Sequence, residues 1–110
     1  QWIRTRPVHA SYFFHGTLEL VEEGVSVILM KGEDETRPLI DRVENFVKTI
    51  TNELTIFDTK DYEMEGISEE FRKYLSPIVL AALLERVSCH LEKERNHPLT
   101  TRRYYRRVKY

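Results

Sequence analysis

Two short apolar runs on either side of one amphipathic stretch leave this chain few ways to fold. The first run, Val25-Ser26-Val27-Ile28-Leu29-Met30, lies between Gly24 and Gly32. Its length and β-branched content predict a strand buried on both faces, as in a parallel sheet. In the stretch that follows, Pro38 suits a first helical turn, and Leu39, Ile40, Val43, Phe46, Val47 and Ile50 share one helical face. Asp41, Arg42, Glu44 and Lys48 fall on the opposite face, Glu44 and Lys48 at helix-pair spacing, and Asn52 closes the helix. Residues 54–58, Leu54-Thr55-Ile56-Phe57-Asp58, read as a second strand. Strand, helix and strand with short connections make a right-handed βαβ unit, the repeating piece of a doubly wound α/β sheet. Asp58 then projects at the carboxyl end of its strand, where such sheets hold ligands, although capping the next turn is the commoner role for an aspartate there.

The flanks are read with the same rules. Residues 18–23 predict a short helix capped by Thr17 and closed by Gly24. Residues 61–66 are loop-like, and Ser68-Glu69-Glu70-Phe71 carries a helix-start pattern. Ser76 and Pro77 read as the cap and first residue of a further helix. Residues 78–84 are almost wholly apolar, which calls for burial nearly all round, and the second half turns amphipathic through Val87 and Leu91. His90 and Glu94 are four apart on that helix and read as a structural pair. Asn96 and Pro98 stop it.

Composition narrows the function classes. The 110 residues suffice for one domain, divided here into residues 1–24, 25–95 and a basic, aromatic tail at 96–110. Net charge is −1, yet residues 102–110 hold five basic side chains and three tyrosines. Such interleaving can grip nucleic acid, but the tyrosines and Val108 favour docking on the protein itself, so no nucleic-acid partner is expected. One cysteine, Cys89, excludes an intrachain disulfide and fits a reduced, cytoplasmic setting. No apolar run reaches the roughly 18 residues of a membrane span, and no membrane partner is expected. There is no ligand spacing for a metal, no phosphate-binding glycine loop and no nucleophile elbow, so no cofactor is expected.

Histidine chemistry remains. Tyr12-Phe13-Phe14 runs into His15-Gly16-Thr17, and Gly16 frees the backbone to take a positive φ. A neutral histidine just outside a helix N-terminus is suited to moving a proton, although local hydrogen bonding is the commoner role by spacing alone. His9 reads as a solvent-facing loop residue. Phe13-Phe14-His15-Gly16-Thr17-Leu18-Glu19 resembles the E-F-x-H-G-P-x-E signature of sugar isomerase (SIS) domains. His97-Pro98-Leu99-Thr100-Thr101-Arg102-Arg103-Tyr104-Tyr105, with Val108-Lys109-Tyr110, is similar to the ending of one branch of that family, the deglycases of 6-phosphorylated fructosyl or glucosyl amino acids.

The resemblance spans the whole chain and implies that it is the C-terminal portion of a doubly wound, flavodoxin-like SIS domain. It implies an enzyme of carbohydrate metabolism acting on a sugar phosphate by proton transfer. His15 would be the assisting catalytic histidine, and Arg102 and Arg103 would bind substrate. In the family the catalytic glutamate and the phosphate-holding loop lie upstream of the positions matching Gln1, so the isolated chain is expected to be inactive. The remaining SIS portion of the same protein and a homodimer are the implied partners. Two departures stand out: Tyr12 replaces the signature's acid and Thr17 its proline. The loss of a carboxylate near His15 supports an alternative, a non-catalytic sugar-phosphate-binding or regulatory SIS module.

Overall fold

The computed structural model describes residues 4–98 and residue 100. Within them the order is helix α1 (Ala10–Phe13), a 3-10 turn (Thr17–Leu20), strand β1 (Val27–Lys31), helix α2 (Arg37–Val47), strand β2 (Leu54–Asp58), a 3-10 turn (Thr59–Asp61) and helix α3 (Glu69–Glu94). β1 and β2 are parallel, in a register that pairs Val27 with Leu54 and Lys31 with Asp58. The crossover through α2 makes the βαβ unit expected from the apolar pattern. Pro38 sits in its first turn, and the helix ends at Val47 with Lys48 as C-cap, short of Asn52.

The core lies between α2 and one face of the β pair. Leu29, Ile40, Val43 and Val47 are buried there with Phe13 of α1, and Val27, Phe46, Leu54 and Ile56 pack around them. Each such side chain contributes about 1.5–3 kcal/mol relative to exposure. The other face differs from the expectation of double burial. Along β1 exposure alternates, and Ile28 and Met30 remain 49% and 41% exposed. A period-2 strand sends alternate side chains to opposite faces, and α2 covers only one of them.

Three local expectations need correction. The helix predicted over 18–23 is a 3-10 turn, capped by Gly16 at φ 118° instead of by the Thr17 hydroxyl. Only a residue without Cβ takes that backbone angle easily. The two helices predicted after residue 68 are one continuous helix through Pro77. Proline cannot donate to the carbonyl four residues back, but the turn before it is secured by a side chain. The Ser76 hydroxyl donates to the Arg72 carbonyl at 2.7 Å and accepts from the Glu33 amide at 3.3 Å. Ser76 is thereby 1% exposed and serves as an anchor, not a cap. Finally, the apolar half of α3 is not enclosed: none of residues 78–84 is buried and Ile78 is 65% exposed, as are Phe71 and Tyr74 before it at 58% and 66%. By length and composition α3 also meets the requirement for a membrane-crossing helix, which the run-by-run reading of the sequence did not show. At its far end Asn96 takes the left-handed conformation at φ 46°, and the His97 amide returns to the Glu92 carbonyl, the expected stop.

Candidate active site

Phe13 and Phe14 seat the segment that carries His15. Phe13 is buried against Phe46 of α2 with ring centroids 5.9 Å apart, and Phe14 meets Phe13 and Phe46 edge-on at 5.2 and 6.0 Å. Edge-to-face aromatic contacts of this kind fix orientation as well as burying area. The chain then turns: the His15 amide donates to the Tyr12 carbonyl at 3.1 Å, and Gly16 reverses its direction. His15 is exposed, and its ring makes no hydrogen bond among the described residues. The expected position outside a helix N-terminus is replaced by one between the end of α1 and a four-residue 3-10 turn, where a macrodipole is negligible. What remains is an accessible imidazole on a well-seated turn, a group type able to donate or accept a proton.

His9, expected on a loop, is the N-cap of α1. Its Nδ1 accepts from the Ser11 amide at 3.3 Å and lies 2.7 Å from the Ser11 hydroxyl. Tyr12, at the position of the signature's acid, is 68% exposed. Arg102 and Arg103 lie outside the described residues.

The carboxyl end of the β pair holds an ion network that spacing alone did not reveal. Lys31, on the inward face of β1, is 8% exposed, with Nζ 2.6 Å from both Asp41 Oδ1 and Glu44 Oε2 and 3.9 Å from Asp58 Oδ2. Burial alone would lower the Lys31 pKa, and hydrogen bonds to Asp41 and Glu44 outweigh it, so the ammonium titrates above its ordinary value. Asp58 caps the following turn by accepting from the Lys60 amide at 2.9 Å, and it pairs with the Arg37 guanidinium. Desolvation pushes its pKa up, yet Arg37 and the amide win and leave it lowered. The capping role expected for Asp58 is therefore present, joined to an ion pair.

A second pair fastens α3 to the sheet. Arg72 Nε and Nη2 donate to the Glu33 carboxylate at 2.8 and 2.9 Å, and Nη2 also reaches the Thr59 carbonyl at 3.0 Å. Thr59 is fully buried, and its hydroxyl lies 3.0 Å from the Glu33 carboxylate and 3.2 Å from the Lys31 carbonyl, two acceptors that share its one proton. The Arg72 hydrogen bonds hold the Glu33 carboxyl below its ordinary value. Every charge in these two clusters is matched, so their chemistry is structural: they tie β1, β2, α2 and α3 together at the strand ends. One signal in the sequence pointed here. Lys31 is two residues beyond Leu29 and so shares its inward face, where a lysine demands carboxylates. Among the described residues no group of acids, histidines and cysteines is placed to hold a metal ion.

Comparison with known proteins gives this geometry a context. No protein-family model matches the chain. The fructosamine deglycase FrlB of Bacillus subtilis is 41% identical over all 110 residues, which are 34% of that protein. The fructoselysine 6-phosphate deglycase of Escherichia coli K12 is 31% identical over 104 residues, 94% of this chain and 29% of its own. Among solved structures, a Bacillus subtilis protein assigned as a phosphosugar isomerase superposes over the full chain with a TM-score of 0.92 at 41% identity. A Salmonella typhimurium protein with the same assignment gives 0.90 at 34% identity. Each of these two structures is matched over 34% of its length. The chain thus spans about a third of the relatives it matches, and its parallel, mixed helix-and-strand architecture matches a C-terminal part of their α/β fold. On fold and sequence together, the chain matches the C-terminal third of fructosamine and fructoselysine 6-phosphate deglycases and of phosphosugar isomerase (SIS) structures, as a C-terminal part of such a protein does.

Proposed function

We propose that this chain is the C-terminal part of a deglycase or isomerase that acts on a 6-phosphorylated sugar-amine, a fructosyl or glucosyl amino acid. The observation that carries the reading is the match along the entire chain to a fructosamine deglycase at 41% identity. In this reading a carboxylate base from the preceding part of the protein moves the proton between sugar carbons. His15 delivers a proton to the departing amine, and water completes its release. Arg102 and Arg103 bind the charged end of the substrate. Residues 1–24 supply the active-site turn, residues 25–95 the sheet and helix scaffold, and residues 96–110 the binding tail. The working protein is a cytoplasmic homodimer, and the isolated chain is inactive because base and phosphate cradle lie outside it.

The test is direct. The full-length protein, incubated with fructoselysine 6-phosphate, releases free lysine and a hexose 6-phosphate, and the 110-residue chain alone releases none. Release by the short chain would defeat the division of labour just described. A second reading, a regulatory module that binds a sugar phosphate without turning it over, is favoured by Tyr12, whose phenol stands exposed where the signature carries an acid. Saturable binding by the full-length protein without product would select it.

A further inference from the structure

Arg42 stands apart from the other cations around α2. Arg37 pairs with Asp58, Lys48 with Glu44, and Lys31 with Asp41 and Glu44. Among the described residues the Arg42 guanidinium has no carboxylate partner, and its Cζ lies over the Phe14 ring, 5.2 Å from the centroid. A guanidinium held over a ring satisfies its face through the π contact and keeps its N–H donors for an anion. The ring is itself fixed by Phe13 and Phe46, so the cation is placed by a rigid aromatic stack. Phe14, whose ring the guanidinium covers, immediately precedes His15 in the chain, so the cation is held by a residue of the segment that carries the exposed imidazole.

We infer that Arg42 is a substrate-binding residue that takes an anionic oxygen group, carboxylate or phosphate, beside His15. This deepens the deglycase reading and rests on it. Purely structural duty would be met by the methylene stem and the π contact alone. The missing ion partner is what points outward, because every other cation on or against this helix has one.

The experiment uses the full-length protein and phenylglyoxal, with modification at Arg42 followed by mass spectrometry. Fructoselysine 6-phosphate slows modification of Arg42 about fivefold or more, as expected for an arginine engaged in charge-assisted hydrogen bonds. Two analogues separate the sources of charge: loss of protection with the decarboxylated amine assigns the carboxylate, and loss with the dephosphorylated sugar assigns the phosphate. Arg42→Met, which keeps an apolar stem over Phe14, raises KM about tenfold with kcat little changed, and Arg42→Lys falls between. Calorimetric binding of the parent compound with no protection at Arg42 overturns this inference and leaves the deglycase reading standing. A compound neither bound nor turned over defeats the deglycase reading and this role with it. A variant that melts earlier with KM unaltered reduces Arg42 to a packing residue.

Discussion

The His15 imidazole is open to solvent, whereas the Lys31 ammonium is enclosed by carboxylates, and the two predict opposite outcomes on substitution. His15→Ala in the full-length protein lowers kcat by roughly 10²–10⁴-fold, the usual worth of a positioned acid or base. Its melting temperature hardly moves, because little area is lost. Early melting with normal turnover would remove His15 from the mechanism. Lys31→Met takes the cation from Asp41 and sets an apolar stem against Glu44 and Asp58, which keep Lys48 and Arg37. It costs about 2–3 kcal/mol, below the full figure for a deeply buried pair because Asp41 is half exposed. Urea denaturation measures it, and an unchanged midpoint would show the network to be dispensable. These residues were unequally legible. The turn at His15 is a contiguous run of residue types, so the sequence displays it directly. The partners of Lys31 come from α2 and from the strand opposite, and only the parallel register brings Asp58 to it.

Helix α3 shows how local signals lose to a tertiary anchor. Ser76-Pro77 has the chemistry of a helix start, and in isolation that reading is sound. In the fold the Ser76 hydroxyl bonds back to the Arg72 carbonyl and forward to Glu33, and the helix runs through. Arg72 and Ser76, one turn apart, are therefore the fixed points of the helix on the sheet. Pro77 is exposed, so it can be replaced without loss of packing. Pro77→Ala restores a donor for the Lys73 carbonyl and stabilises the helix by up to about 3 kcal/mol. Amide exchange across residues 73–81 slows accordingly, and faster exchange there would mean that the proline holds a needed bend. The βαβ unit was the readable part of the fold, since its two periodicities lie within one stretch of sequence. The bare side of β1 was not, because the apolar content of Ile28 and Met30 states a demand for cover without stating who supplies it.

For the molecule as a whole, the ion networks set the pH window. Glu33, Glu44 and Asp58 have lowered pKa values in the folded state. Their stabilisation is present above the ordinary carboxylate range, about pH 4, and is lost as pH falls through the lower folded values. Lys31 is raised, so its contribution is present below about pH 10 and disappears as pH climbs through the folded value. Denaturation midpoints of the full-length protein should hold steady between those limits and fall on the acid side; a midpoint that rises on acidification would contradict the assignment. The isolated chain, with Ile28, Met30, Phe71 and Ile78 uncovered, should self-associate in light scattering, and a cooperatively melting monomer would count against that. The uncovered side of β1 also bears on the order of synthesis. In relatives where this stretch forms the C-terminal third, it leaves the ribosome last. The inner face of its βαβ unit closes with residues from within that unit, Leu29 against Ile40, Val43 and Val47, and so can form as soon as those residues emerge. Any cover for Ile28 and Met30 supplied by earlier parts of such a protein would already be made when the strand emerges, so those side chains would not wait in solvent for a partner still to be translated.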